Sequence, residues 1–143
     1  MSGNVFRHSH RVTYAECTVG NHVYYARYLD FLEEARGEFF RSLGVPLRGL
    51  QEADTAFPAV ESRLQYKSPA RYDDVLRIEL WLTELDRIRI SFGHRIINQA
   101  AQLVVEGGTV HVCTTLKGRP KRLPGHLIAL LVPYLPQAAS VAG

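Results

Sequence analysis

Residues 23 to 44 read VYYARYLDFLEEARGEFFRSLG, and the spacing of their apolar members predicts a long amphipathic helix. Tyr28, Leu29, Leu32, Ala35, Phe39, Phe40 and Leu43 recur at steps of three and four, while Arg27, Asp30, Glu34, Glu38 and Arg41 take the other faces. Such a stripe needs an apolar surface to lie on, because tertiary packing supplies most of a helix's stability in water. Asn21 can accept a hydrogen bond from the open amides of a first turn, so the helix is expected to start near Val23. Gly44 tolerates the left-handed exit and Pro46 opposes continuation, which gives a helix of about five turns.

The flanks read as strands. Val5 to Tyr14 mixes β-branched and aromatic residues without Gly or Pro. Pro46 to Ala56 reads as a loop with one short helical turn, and strand-like segments follow from Phe57 to Lys67, Val75 to Leu85, Arg87 to Ile97 and Leu103 to Thr115. Leu76, Ile78, Leu80 and Leu82 alternate with Arg77, Glu79 and Thr83, the pattern of a strand with one face on a core. Ile88, Ile90, Phe92, His94 and Ile96 share a face of the next strand, and His94 is expected there as a satisfied core histidine. Gly107 and Gly108 in the last long strand imply a bulge or a close backbone approach. His126 to Val132 reads as a short terminal helix. Strand, long helix and four further strands exclude the regular alternation of a doubly wound sheet and place the chain in the α+β class, as an antiparallel sheet around one helix. One helix cannot cover both faces and both edges of such a sheet, so a second copy of the chain is expected against it.

At 143 residues the chain suits one domain, 1–143. Lys and Arg total 17 against 14 acidic residues, and a net charge of +3 is too small and too scattered for a nucleic-acid-binding stripe. The densest basic group is Arg119, Lys121 and Arg122, which suits a solvated loop or a phosphate contact. Cys17 and Cys113 match neither a zinc-ribbon nor a redox spacing and read as reduced, buried thiols. Met1 to His10 lacks the apolar run of a signal peptide, and no stretch approaches 18 apolar residues, so a cytoplasmic setting without membrane contact is expected.

Three stretches share a resemblance: VTYAECTVGNHVYYARYLDFLEEAR at residues 12 to 36, YKSPARYDD at 66 to 74, and GTVHV at 108 to 112 leading into GRPKR at 118 to 122. In this order they resemble the 4-hydroxybenzoyl-CoA thioesterase and YbgC-like family. The resemblance implies a hotdog fold, in which a curved five-stranded antiparallel sheet wraps a long helix. It also implies dimers or tetramers with active sites shared between subunits. The implied activity is hydrolysis of acyl-CoA or acyl-carrier-protein thioesters without a metal or other cofactor, coenzyme A entering only as part of the substrate.

The family's pattern has an Asp shortly before the helix, as nucleophile or general base, and that position is Thr18 here. A Thr hydroxyl is un-ionised near neutral pH and only orients water unless a base activates it. Glu16, two residues earlier, points the same way as Thr18 if the segment stays extended. Glu61 is the favoured replacement base, with an ion pair to Arg63 or Arg36 as the competing reading, and Glu61→Gln is then expected to abolish turnover. His22 suits proton transfer or capping. Tyr25, at the start of the helix, offers a backbone amide to the thioester oxygen. Arg36 pairs with Glu33 or reaches the cleft, and Arg87 and Arg89 match strand positions that approach coenzyme phosphates in relatives. His8 and His10 lack the partners of a metal site. The rival to a thioesterase is a binder of acyl thioesters that lost turnover with the Asp. A hotdog dehydratase has only His22 in its favour.

Overall fold

The computed structural model describes residues 3–136 and residue 141. Strand β1 (Phe6–Arg11) leads into a 3-10 turn (Tyr14–Glu16) and a two-rung hairpin of β2 (Cys17–Thr18) and β3 (His22–Val23). Helix α1 (Arg27–Ser42) and the short α2 (Leu47–Glu52) follow. Four longer strands come next, β4 (Ala59–Tyr66), β5 (Val75–Leu85), β6 (Arg89–Ile97) and β7 (Leu103–Val112), and then α3 (Gly125–Leu131). Five strands form one antiparallel sheet in the order β1-β5-β6-β7-β4.

The helix stripe meets the inner face of this sheet. Phe31, Leu32, Ala35, Phe39 and Phe40 are buried, and the Phe39 ring stands edge-on to Phe92 at 5.9 Å between centroids. Leu76, Ile78, Leu80 and Leu82 are buried on the same face, as their alternation requires. Each large apolar side chain so buried contributes about 1.5–3 kcal/mol relative to exposure.

The helix starts later than its apolar spacing suggests, at Arg27 rather than near Val23. Asn21 is no N-cap: it stands at φ 58 in the turn of the small hairpin, and Ala26 precedes the helix without a side-chain cap. Tertiary bonding is the reason. The Val23 amide donates to Ala70 at 2.8 Å and Tyr24 to Glu16 at 3.0 Å, which holds this stretch extended while Val23 enters the core.

The outer face of the sheet holds a feature that alternation alone does not reveal. Glu79 belongs to the polar face, yet its side chain is only 2% exposed. It is roofed by Arg7 at 3.1 Å, Arg77 at 3.1 Å and Arg95 at 2.7 Å, and Arg95 lies over the Trp81 ring. Burial alone would raise this carboxyl, but the three guanidinium groups outweigh it and hold the pKa below the ordinary 4.5. Glu79→Gln is expected to lower unfolding stability by about 2–4 kcal/mol at pH 7, the arginines being free to turn to solvent. A lowered carboxyl binds fewer protons folded than unfolded, so the wild-type advantage is complete above the ordinary value and fades as pH falls below it. Thermal melts of both proteins across that range check this.

Gly107 and Gly108 mark a close approach rather than a bulge. Register shifts occur elsewhere, between Ala59 and Glu61, Leu82 and Glu84, and Ile96 and Ile97. Strand β4 is the outermost strand beyond β7, and seven of its eight residues are exposed. None of the helices among the described residues is long and apolar enough to cross a membrane.

Candidate active site

The β2–β3 hairpin sets the site. Asn21 donates from its amide to the Thr18 carbonyl at 3.1 Å, and Gly20 at φ 90 supplies the left-handed corner that a residue with a Cβ resists. Arg71 braces the loop from outside, donating to the carbonyls of Gly20 at 3.4 Å and Asn21 at 3.3 Å. Thr18 and His22 are direct cross-strand partners, so their side chains share a face. The His22 Nδ1–H faces the Val23 carbonyl at 3.4 Å, an arrangement that leaves Nε2 as the proton acceptor.

Beside this hairpin lies a cleft of about 520 Å³ between the start of α1 and the end of β4. Thr18, His22, Tyr25, Tyr28, Tyr66 and Lys67 are among its walls. The Tyr66 hydroxyl donates to the Tyr25 carbonyl at 3.3 Å, and the buried Tyr28 oxygen accepts from the Ala70 amide at 3.2 Å. Burial pushes the Tyr28 phenol up, which keeps it neutral. The amides of Tyr25 and Ala26, immediately before α1, make no hydrogen bond among the described residues. They are open donors at the positive end of a helix dipole, suited to an oxygen that gains negative charge.

Of the residues singled out from the sequence, Thr18, His22 and Tyr25 meet in this cleft, whereas Glu16 turns away. The segment is not extended through it: Glu16 ends the 3-10 turn, and its carboxylate accepts from the Thr13 amide at 2.8 Å and from His10 Nε2 at 2.9 Å. Burial would raise its pKa, but these hydrogen bonds outweigh burial and lower it. His10 also reaches Glu34 at 3.3 Å, and His8 reaches the same carboxylate at 2.7 Å, so both histidines tie β1 to α1.

Glu61 is separated from Thr18 by the sheet itself. Tyr66 pairs with Val105 on the inner face, whereas Glu61 pairs with Val110, itself the partner of Ser91, on the outer face, exposed and bound to Arg63 at 3.1 Å. Strand alternation forbids its carboxylate from reaching the helix side. Within one subunit Glu61 is thus an outer-face ion-pair partner of Arg63, the competing reading, and is not among the walls of the Thr18 cleft. Arg87 and Arg89 are exposed at the β5–β6 end of the sheet, where Arg89 pairs with Val112, and so lie near the Ala59 end of β4 rather than the Tyr66 end. Arg36 makes no ion pair with Glu33 and lines a second cleft. His94 is not the satisfied core histidine expected: it is 1% exposed, and neither ring nitrogen finds a partner among the described residues. Among those residues no group of three His, Cys, Asp or Glu is placed to hold a metal ion.

Comparison with known proteins agrees with the fold. The family model described as "Thioesterase-like superfamily" matches residues 12–131. The chain is 33% identical over 130 residues to the acyl-CoA thioester hydrolase YbgC of Escherichia coli, covering 90% of this chain and 97% of that protein. It is 30% identical over 101 residues to the 1,4-dihydroxy-2-naphthoyl-CoA hydrolase of Synechococcus elongatus, covering 69% and 74% respectively. A crystal structure of a hypothetical protein from Aquifex aeolicus superposes with a TM-score of 0.84 at 28% identity, covering 88% of this chain and 98% of that one. With the fold, the order of its elements and these relatives in agreement, the chain belongs to the hotdog-fold thioesterase-like superfamily, with YbgC among its relatives.

Proposed function

We propose that this protein hydrolyses an acyl thioester of coenzyme A or of an acyl-carrier protein, giving the free acid and the thiol. One observation carries the reading: the unpartnered amide of Tyr25 belongs to a cleft that Thr18 and His22 enter from one hairpin. The thioester oxygen accepts from the amides of Tyr25 and Ala26. Thr18 orients a water molecule, and His22 Nε2 takes its proton as the oxygen adds to the carbonyl carbon. Collapse of the tetrahedral adduct breaks the C–S bond, and the thiolate leaves with the proton held by His22. No cofactor takes part, and coenzyme A is carried by the substrate.

The working unit is a homo-oligomer built on β4. Arg87 and Arg89 stand near the Ala59 end of this strand and the Thr18 cleft near its Tyr66 end, separated by about 23 Å of extended chain. Two β4 edges paired antiparallel about a two-fold axis bring the arginines of one copy beside the cleft of the other, where guanidinium groups suit coenzyme phosphates. The bare edge supports this pairing. A cytoplasmic setting without nucleic-acid or membrane partners completes the reading.

A second reading, an acyl-thioester binder without turnover, is favoured by the absence, among the described residues, of any Asp or Glu from the walls of the Thr18 cleft. Thiol release from a panel of short, long and aromatic acyl-CoA esters separates the two. Turnover that disappears in His22→Gln supports hydrolysis, whereas binding of the esters without thiol release supports the binder. Glu61→Gln is expected to leave turnover within about twofold of wild type, as suits surface substitutions away from a site. This reverses the outcome expected from sequence, and loss of activity would return Glu61 to the mechanism.

A further inference from the structure

A second cleft, of about 510 Å³, lies against the third turn of α1. Phe40, Phe57, Ile90, Phe92 and Leu116 give it apolar walls, and the rings of Phe40 and Phe57 stack at 5.5 Å with 9° between planes. Arg36 enters this apolar space. The neighbouring arginines of α1 are paired, Arg27 with Asp30 at 3.2 Å and Arg41 with Glu38 at 3.3 Å. Arg36 alone of the three has no ion pair or hydrogen bond among the described residues, and Glu33, one turn back, stays beyond 4.0 Å.

Elsewhere on the wall, among the described residues, only Glu33 favours the Arg36 charge, through space and without an ion pair. His111 donates from Nδ1 to the Phe57 carbonyl at 3.0 Å and accepts at Nε2 from the Thr109 hydroxyl at 2.9 Å, so its ring is held neutral and fully used. Burial first, and the nearby Arg36 charge second, push His111 down to about 4, and the same two causes bring His94 to about 4. At neutral pH Arg36 is thus the one cation on this wall, and burial weighs against its charge. A half-buried guanidinium whose neighbouring carboxylate, Glu33, stays beyond ion-pair reach keeps its fork open to a planar anion.

We infer that this cleft receives the acyl part of the substrate, and that Arg36 binds a carboxylate at its far end. The substrate class is then a thioester whose acyl group has an apolar body and a terminal carboxylate. This rests on the thioesterase reading and on the two-fold pairing of β4, which sets the Ala59 end of one copy, with this cleft, beside the Thr18 hairpin of the other.

The test uses two esters of equal chain length, adipoyl-CoA and hexanoyl-CoA, with kcat/KM from thiol release and affinity from calorimetry. Wild type should favour adipoyl-CoA by about tenfold or more, the scale of one charge-assisted contact. Arg36→Met should bring the ratio to about one, and Arg36→Lys should restore part of it, with folding checked by circular dichroism and subunit mass by light scattering. Equal handling of both esters by wild type overturns the role of Arg36 and leaves the thioesterase reading standing. If neither ester is bound or hydrolysed while another acyl-CoA of the panel is turned over, this inference falls alone and the thioesterase reading stands. If Arg36→Met changes the subunit mass while the ester ratio stays as in wild type, Arg36 belongs to a subunit contact instead.

Discussion

Thr18→Asp should raise kcat/KM for a turned-over acyl-CoA by about a hundredfold, the lower end of what a positioned base contributes. Position 18 already faces the cleft, on the same face as His22 and beside the open amides before α1. The hairpin that carries it is held from both sides, by Val23 bonded to Ala70 and by Arg71 on the loop carbonyls, so the substitution changes chemistry rather than fold. A carboxylate there can take the water proton or attack the carbonyl directly, whereas the hydroxyl only orients. Thiol-release kinetics of both proteins on one ester read the outcome, and a change of less than about twofold would place turnover outside this cleft. A wild-type protein that binds the ester silently while Thr18→Asp turns it over would mark the natural chain as a binder.

Gly107→Ala should cost about 3 kcal/mol or more, or abolish soluble expression. The added Cβ would lie 2.0 Å from the Arg63 carbonyl oxygen and 3.1 Å from His94 Nε2. The first of these is backbone in a paired strand and cannot move aside as a side-chain tip would. Relief requires β4 to shift, and β4 carries both Tyr66 at the cleft and the bare edge proposed for pairing. Gly49 in α2 has nothing within 4 Å of such a Cβ, so Gly49→Ala is the control and should be neutral or stabilise by up to about 1 kcal/mol. Denaturant melts of the two variants should separate them clearly, and equal melts would mean that β4 yields easily.

The difference between these glycines shows where sequence reading has purchase. Gly107 and Gly108 within a strand pattern pointed to a close approach, and the contact is there. The stripe from Tyr28 to Phe40 and the alternation from Leu76 to Leu82 were legible because each follows the period of its own element, whatever lies opposite. The start of α1 was not, because Val23 leaves the helix for a hydrogen bond to Ala70, and the two residues lie 47 positions apart.

The site residues divide in the same way. Thr18 and His22 could both be singled out because only three residues, Gly20 and Asn21 of the turn among them, separate the two. Glu61 could not, since the register shift between Ala59 and Glu61 decides which face later residues take, and such a shift leaves no clear mark in composition. Glu16 depended on the segment up to Thr18 staying extended, and it instead ends a 3-10 turn with its carboxylate on the Thr13 amide.

By itself the sequence determined one helix against an antiparallel sheet, a turn at Gly20 and Asn21 ahead of that helix, and Thr18 and His22 as candidates beside it, since all three are properties of neighbouring residues. Tertiary structure alone decided that Glu61 faces outward, that three arginines from β1, β5 and β6 enclose Glu79, and that Arg36 stands unpaired in an apolar cleft. The physical reason is that the state of a charge depends on what the whole fold brings within a few ångströms of it, and those groups come from strands far apart in the chain.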